Sequence, residues 1–125
     1  MKDGRVLATF GTPGLDVQPQ AMVQFLVNVI DFGMDPQAAI EAPRVATGSF
    51  PHSSFPHPYF PGRVYAEGRI SRDVLDELSR RGHQIEEWPD WMPLAGALCA
   101  AVVDHENDSI TGAADPRRVG YAIAW

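Results

Sequence analysis

The stretch RVLATFGTPGLDVQPQAMVQFLVNVIDF, residues 5–32, decides how the rest of the chain is organised. Residues 5–10 form a short apolar run rich in β-branched side chains, which predicts a buried strand. The sequence Gly11-Thr12-Pro13-Gly14 ends that run, because glycine and proline interrupt regular structure. Pro19 then suits the first turn of a helix, where its missing N–H is not needed. The predicted unit is therefore strand, glycine turn and helix.

The predicted helix is apolar over much of its circumference. Asp16 or Gln18 is expected to cap its free N–H groups, and Asp is the stronger capping residue. A helix with so wide an apolar surface is normally packed between other elements. The residues that form this surface are Met22, Phe25, Leu26, Val29 and Ile30, with Val23 and Val27 widening it.

The glycine turn places backbone N–H groups close to a helix N-terminus. Such groups stabilise a developing negative charge. A second interpretation is that Gly11 and Gly14 only allow a tight turn, since short glycine motifs often occur without a function. The motif alone does not decide between a charge-stabilising turn and a tight turn without a function.

Three longer segments follow one another in a recognisable order. They are GTPGLDVQPQAMVQFLVNVIDFGMDPQAAIEAPR, AEGRISRDVLDELSRRGHQIEEWPDW and GAADPRRVGYAIAW. Together they resemble the C-terminal part of the small subunit of the gamma-glutamyltransferase (gamma-glutamyltranspeptidase) family, over nearly the whole chain. The variant DVQPQ resembles the bacterial branch that includes acylase-like members.

The resemblance implies an α+β fold. Residues 1–125 would form a single domain or fragment, the C-terminal portion of the αββα fold of N-terminal-nucleophile hydrolases. Its sheet would be mostly antiparallel, with two main helices. The residues agree with this class, because strand patterns alternate with two helical patterns.

The resemblance also implies a site. In the family, the main-chain N–H groups of two glycines form the oxyanion hole, and by position that role falls on Gly14 and Leu15. Leucine replaces the second glycine here. It keeps an N–H, but a backbone with positive φ would carry a steric penalty that glycine avoids.

The family's nucleophile is a threonine freed when a precursor cuts itself into two subunits. Its α-amino group acts as the base. The four threonines Thr9, Thr12, Thr47 and Thr111 are internal, so we expect this chain to be inactive alone. It would need the large subunit and the N-terminal part of the small subunit, or would self-associate in their absence. The complete enzyme would act on γ-glutamyl amides such as glutathione.

Two alternatives remain at this stage. Leu15 in place of glycine fits a non-enzymatic interaction module derived from the family. A cephalosporin-acylase-like amide hydrolysis on the same scaffold is the other, and it also needs the missing nucleophile.

Composition narrows the possible functions. A net charge of −6 argues against a nucleic-acid or membrane-surface partner. Cys99, the only cysteine, lies in an apolar run and is expected to be a buried, inert thiol. His52 and His57 are too few for a metal site, and we predict no cofactor. No signal peptide is visible and no disulfide can form within the chain, which favours the cytoplasm.

The remaining sequence predicts short elements separated by turns. Asp35 and Pro36 should begin a short helix, and Ser71 should cap another. Residues 48–62, rich in proline and aromatic residues, should form an irregular loop. Trp88 and Trp91 fill the core or contact a partner chain, and the core is the favoured interpretation. The further predictions are strands at 44–47, 63–67, 84–88, 95–103, 109–113 and 121–125, and a helix at 72–81.

Overall fold

The computed structural model describes residue 1 and residues 4–123, and in this part of the chain it has two three-stranded sheets and three α-helices. The α+β prediction is confirmed. In chain order, the elements are β1 (Ala8–Gly11), α1 (Gln18–Ile30), α2 (Pro36–Glu41), β2 (Val45–Thr47), β3 (Arg63–Glu67), α3 (Arg72–Arg80), β4 (Gln84–Trp88), β5 (Cys99–Asp104) and β6 (Ser109–Ala114).

The first sheet has the order β1-β5-β6 and is antiparallel throughout. Side chains alternate between its two faces, so Phe10, Ala100 and Ala113 point towards α1 and α2. Phe10 lies against Phe25 of α1, with ring centroids 5.3 Å apart. The buried core of this layer is Phe25, Ala39, Ile40, Leu98, Ala100 and Ala113.

The second sheet has the order β2-β3-β4. Strands β2 and β3 are antiparallel, whereas β3 and β4 are parallel because α3 provides the crossover between them. Helix α3 buries Leu75, whereas its charged residues Arg72, Asp73, Asp76 and Arg80 are exposed. The sheets are therefore mostly antiparallel, as predicted, with one parallel pair.

Two glutamines of α1 join the helix to the edge of the second sheet. The side chain of Gln24 accepts a hydrogen bond from the Val45 N–H (3.0 Å) and donates one to the Val45 carbonyl (2.9 Å). One turn earlier, Gln20 accepts from the Thr47 N–H (2.8 Å). Residues four apart on a helix lie on one side, as do residues two apart on a strand. Gln20 and Gln24 can therefore pair with Thr47 and Val45. The side-chain amides occupy the place of a neighbouring strand.

Several predicted boundaries are confirmed. Strands β3 and β4 occupy the predicted ranges, residues 48–62 have no helix or strand, and Asp35 Oδ1 accepts from the N–H groups of Gln37 (2.9 Å) and Ala38 (3.3 Å). The capping prediction for α1 is wrong: Val17 is the N-cap residue and no side chain caps the helix. Ser71 is the N-cap residue of α3, but its side chain makes no capping bond.

Several other predictions are wrong. Cys99 is exposed, since Ala100 takes the core-facing position of the strand. Trp91 is exposed too, with the Arg69 guanidinium 3.6 Å from its ring centroid. Residues 121–123 form no strand, and residues 124–125 lie outside the described part. The outer face of α1 is open, and its exposed residues are Val23, Val27 and Ile30.

Candidate active site

The turn between β1 and α1, residues 12–17, is built on two residues with positive φ. Gly14 has φ 138° and Leu15 has φ 50°. The Val17 N–H donates to the Gly14 carbonyl (3.0 Å) and closes a single 3₁₀ turn, Leu15–Val17, ahead of α1. Among the described residues, the N–H groups of Gly14 and Leu15 donate to no protein acceptor. We call residues 12–17 the Gly14 turn.

Leu15 has the positive φ that would be easier for glycine at this position. The backbone there does require positive φ, and leucine adopts the left-handed region that glycine would occupy more easily. Such a conformation costs a non-glycine residue about 1–2 kcal/mol. The Gly14 turn therefore contains two consecutive residues with positive φ, and one of them is a leucine.

The segment before β5 supports the Gly14 turn from one side. A Cβ atom added to Gly14 would lie 3.6 Å from the Cα atom of Gly96, so the two backbones lie close to each other. Thr12 Oγ1 accepts from the Ala97 N–H (2.8 Å) and donates to the Pro13 carbonyl (2.8 Å). The Thr12 hydroxyl thus has a structural role, with both of its bonds within the protein.

A buried ionic cluster lies behind this segment. Arg44 contacts Asp115 (2.6 Å), and Arg117 contacts both Glu67 (2.6 Å) and Asp115 (3.1 Å). Arg44 also donates to the carbonyl of Ala95, next to Gly96 (3.1 Å). Arg44 directly precedes β2 and Glu67 ends β3, whereas Asp115 and Arg117 follow β6. The cluster therefore joins the two sheets.

The pKa values of the cluster reflect competition between burial and pairing. Burial alone would raise the pKa of Glu67, but hydrogen bonds from Arg117 and from the N–H groups of Met92 and Arg44 lower it below its usual value. Burial lowers the pKa of Arg44, and Asp115 opposes that shift. Burial also opposes charge on Arg117, yet its contacts with Glu67 raise its pKa. Complete hydrogen bonding thus keeps the cluster ionised.

An open cavity of about 420 Å³ lies on the other side of the Gly14 turn. One wall is the turn itself, including Gly14, Leu15 and Asp16. The opposite wall comes from residues 48–62, which we call the aromatic loop, and from the second sheet. The apolar and aromatic residues of that wall are Phe50, Pro58, Phe60, Tyr65 and Trp88.

A polar contact fastens the aromatic loop to the turn. Asp16 Oδ2 accepts from the Ser53 N–H (3.0 Å) and lies 3.1 Å from His52 Nε2. The Ser53 N–H is the main cause that lowers the pKa of the Asp16 carboxyl. Sequence reasoning assigned Asp16 to a helix cap, because the partners of its side chain lie far along the chain. It also took His52 and His57 as ordinary loop histidines, too few for a metal site.

The predicted site residues are thus adjacent in one turn beside a cavity. Within residue 1 and residues 4–123, His, Cys, Asp and Glu form no group of three or more able to hold a metal ion. Across the same residues, every helix is too short or too polar to cross a membrane. The chemistry available here is backbone hydrogen-bond donation to an anionic oxygen.

Comparison with known proteins supplies the family. The gamma-glutamyltranspeptidase family model matches residues 1–125. The glutathione hydrolase-like YwrD proenzyme of Bacillus subtilis (strain 168) is 35% identical over 122 residues, which are 98% of this chain and 22% of that protein. The chain spans about a fifth of the length of the curated relatives it matches.

Solved structures agree with the family model. Cephalosporin acylase from Bacillus halodurans has a TM-score of 0.85 at 30% identity, covering 100% of this chain and 21% of that one. Gamma-glutamyltranspeptidase from Pseudomonas nitroreducens, complexed with L-DON, has a TM-score of 0.77 at 28% identity, covering 100% of this chain and 58% of that one. The predicted fold, the C-terminal portion of an N-terminal-nucleophile hydrolase, is therefore confirmed. The chain belongs to the gamma-glutamyltranspeptidase family.

Proposed function

We propose that this chain supplies the oxyanion-stabilising turn of an enzyme that hydrolyses or transfers the acyl group of amides, with γ-glutamyl amides such as glutathione as the first candidates. The observation that carries the proposal is the pair of N–H groups at Gly14 and Leu15, which donate to no described residue and border an open cavity. Donors of this kind stabilise the transition state because they are already oriented before the charge forms.

The nucleophile would come from residues outside this chain. Its hydroxyl oxygen attacks the amide carbonyl, whose oxygen becomes the anion that the two N–H groups stabilise. When the tetrahedral intermediate collapses, the C–N bond breaks, the amine leaves with a proton, and an acyl-enzyme remains. Water or a second amine then takes the acyl group. On this proposal, residues 1–125 alone are inactive.

A backbone substitution tests the role of Leu15 directly. Replacing Leu15 by its α-hydroxy acid analogue in the complete protein turns the amide into an ester, which removes the N–H and keeps the side chain. We expect kcat for a γ-glutamyl anilide to fall about 100- to 1000-fold with little change in KM. The matched control is the same replacement at Leu94, an exposed residue in the turn before Gly96. Equal activities of the two esters would contradict the proposal.

Two further measurements address the missing nucleophile. Residues 1–125 alone should not hydrolyse the anilide above background. In the complete protein, peptide mapping of the trapped acyl-enzyme should find the label outside these residues. A label on Thr9, Thr12, Thr47 or Thr111, or turnover by the isolated chain, would overturn this part of the proposal.

A second candidate is hydrolysis of amides that are not γ-glutamyl. The cavity beside the turn is lined by no Lys or Arg among the described residues, so this chain provides no cation there for a substrate carboxylate. The relatives also include Acylase ACY 1 of Pseudomonas sp. (strain SE83). The ratio of kcat/KM for γ-glutamyl and uncharged acyl anilides separates the two candidates.

The rest of the enzyme is the proposed partner of the open face of α1. Val23 and Ile30 are each 58% exposed and lie on the same side of the helix as Val27. An apolar stripe of this kind normally packs against another element. If residues 1–125 alone self-associate through it, Val27→Lys should produce monomers in light scattering. Unchanged association would assign the contact to another surface.

A further inference from the structure

We propose that the cavity between the Gly14 turn and the aromatic loop receives an apolar, ring-sized group of the amide substrate, and that Asp16 is the positioning residue that fixes the loop as its wall. This inference rests on the proposed function, because it places the group beside the carbonyl that the Gly14 and Leu15 N–H groups would stabilise.

The lining determines the chemistry of the ligand. Aromatic side chains from the loop and from the second sheet form one wall, and Val17 and Pro19 add apolar surface on the turn side. The only Asp, Glu, Lys, Arg or His side chains among the described lining residues are Asp16 and His52, which pair with each other. A cavity of about 420 Å³ is within the range that binds small organic groups. An apolar group is therefore favoured over a charged one.

Contacts between neighbouring side chains hold the aromatic wall in place. The rings of Tyr65 and Trp88 are stacked, with centroids 5.1 Å apart and an angle of 15° between them. The guanidinium of Arg63 lies 4.2 Å from the centroid of the Phe60 ring. These contacts fix Phe60, Tyr65 and Trp88 before any ligand arrives, which reduces the ordering that binding requires.

Asp16 connects that wall to the reacting group. Its Oδ2 atom binds the Ser53 N–H and the His52 ring, while the next residue back, Leu15, carries one of the proposed oxyanion donors. The Ser54 N–H donates to His52 Nδ1 (3.1 Å), so His52 Nε2 carries the hydrogen that points to Asp16. Loss of the carboxylate would free residues 52–53 of the loop from the turn while leaving both backbone donors in the chain.

Two phenylalanines of the loop provide a matched test. Phe50 (70% exposed) lines the cavity, whereas Phe55 (89% exposed) belongs to the same loop and does not line it. In the complete protein, binding of phenylacetamide and of N-benzylacetamide is measured by saturation-transfer NMR, with acetamide as the ringless probe. We expect Phe50→Ala to reduce the binding affinity for one or both ring probes about tenfold. Phe55→Ala should change these affinities less than about twofold. The probe affected shows whether the ring belongs to the acyl or the amine side.

Equal effects of Phe50→Ala and Phe55→Ala would overturn the inference, as would a cavity filled by another part of the complete protein. If ring probes bind in a Phe50-dependent manner but no amide is hydrolysed, the cavity inference stands and the proposed function fails. If amides are hydrolysed without any dependence on Phe50, the proposed function stands and the cavity inference fails.

The role of Asp16 is tested by specificity. Asp16→Ala should lower the ratio of kcat/KM for phenylacetyl anilide over acetyl anilide about tenfold, mainly through KM. Asp16→Asn keeps a side-chain oxygen that can accept both bonds, so it should restore most of the ratio. If Asp16 had a merely structural role, kcat/KM would fall equally for both anilides and their ratio would not change. That result would contradict the assignment.

Discussion

Gly14 and Gly96 lie close together, because a Cβ atom added to Gly14 would be in ordinary van der Waals contact with the Cα atom of Gly96, 3.6 Å away. This proximity links the proposed oxyanion turn to the segment that enters β5. Since the Ala95 carbonyl accepts a hydrogen bond from Arg44, the buried ionic cluster is connected to the turn through Ala95 and its neighbour Gly96. The turn is therefore held by tertiary structure as well as by its own sequence.

Gly96→Ala should destabilise the protein strongly. Its Cβ would lie 2.7 Å from Thr12 Oγ1 and 3.5 Å from the Cβ of Ala21, and its φ of 102° disfavours any side chain. We expect a loss of about 2–4 kcal/mol in the free energy of unfolding, measured by urea denaturation. Gly11→Ala is the control, because a Cβ there meets nothing within 4 Å. Equal losses for both variants would show that the close fit around Gly96 is not needed for stability.

Leu15→Gly should stabilise the protein slightly. It relieves a positive φ that costs leucine about 1–2 kcal/mol, but glycine loses about 0.5–1 kcal/mol in backbone entropy on folding. The side chain is 59% exposed, so little packing is lost. We expect a gain of up to about 1 kcal/mol in the free energy of unfolding. A clear loss would mean that Leu15 packs against a part of the enzyme outside this chain.

The sequence predicts local structure better than it predicts the site. Strands β3 and β4 are confirmed within their predicted limits because short β-rich runs bounded by turn residues determine them locally. The cap predicted at Asp16 is wrong because Ser53, 37 positions away, competes for the same carboxylate. No local pattern carries that information.

Local sequence patterns also do not predict which charged residues are buried. Arg44, Glu67, Asp115 and Arg117 stand in the motifs APR, AEGR and ADPR, and their charges normally indicate exposed positions. They are buried because they pair with one another across two sheets. The exposure of Cys99 also depends on which layer covers the sheet.

Gln24→Ala should destabilise the protein, because it removes the contact between α1 and β2. The substitution leaves both the N–H and the carbonyl of Val45 without their partner, at the edge of the second sheet. We expect a loss of about 1–3 kcal/mol in the free energy of unfolding. Gln18→Ala, at the start of the same helix, is the control because the Gln18 side chain makes no hydrogen bond among the described residues. Faster hydrogen exchange of the Val45 amide in Gln24→Ala alone would locate the effect.

Glu67→Gln should weaken the ionic cluster and change how stability depends on pH. Because the folded protein lowers the pKa of Glu67, the unfolded chain binds its proton more readily. The stabilisation is complete above the unfolded value of about 4.3 and is lost as the pH falls through the lower folded value. Replacing the carboxylate leaves Arg117 partly unpaired, and we expect a loss of about 3–5 kcal/mol at pH 7.

The control for that variant is Glu86→Gln, which removes an exposed ion pair with Arg63 (2.9 Å) on the same sheet. Exposed ion pairs contribute at most about 1 kcal/mol to the free energy of unfolding, so the stability of this variant should be close to that of the parent. Below about pH 4, the gap between parent and Glu67→Gln should narrow, because the parent also loses the negative charge of Glu67. Urea denaturation at several pH values measures both trends. A gap that stays constant down to the lowest pH would show that the charge of Glu67 does not hold the two sheets together.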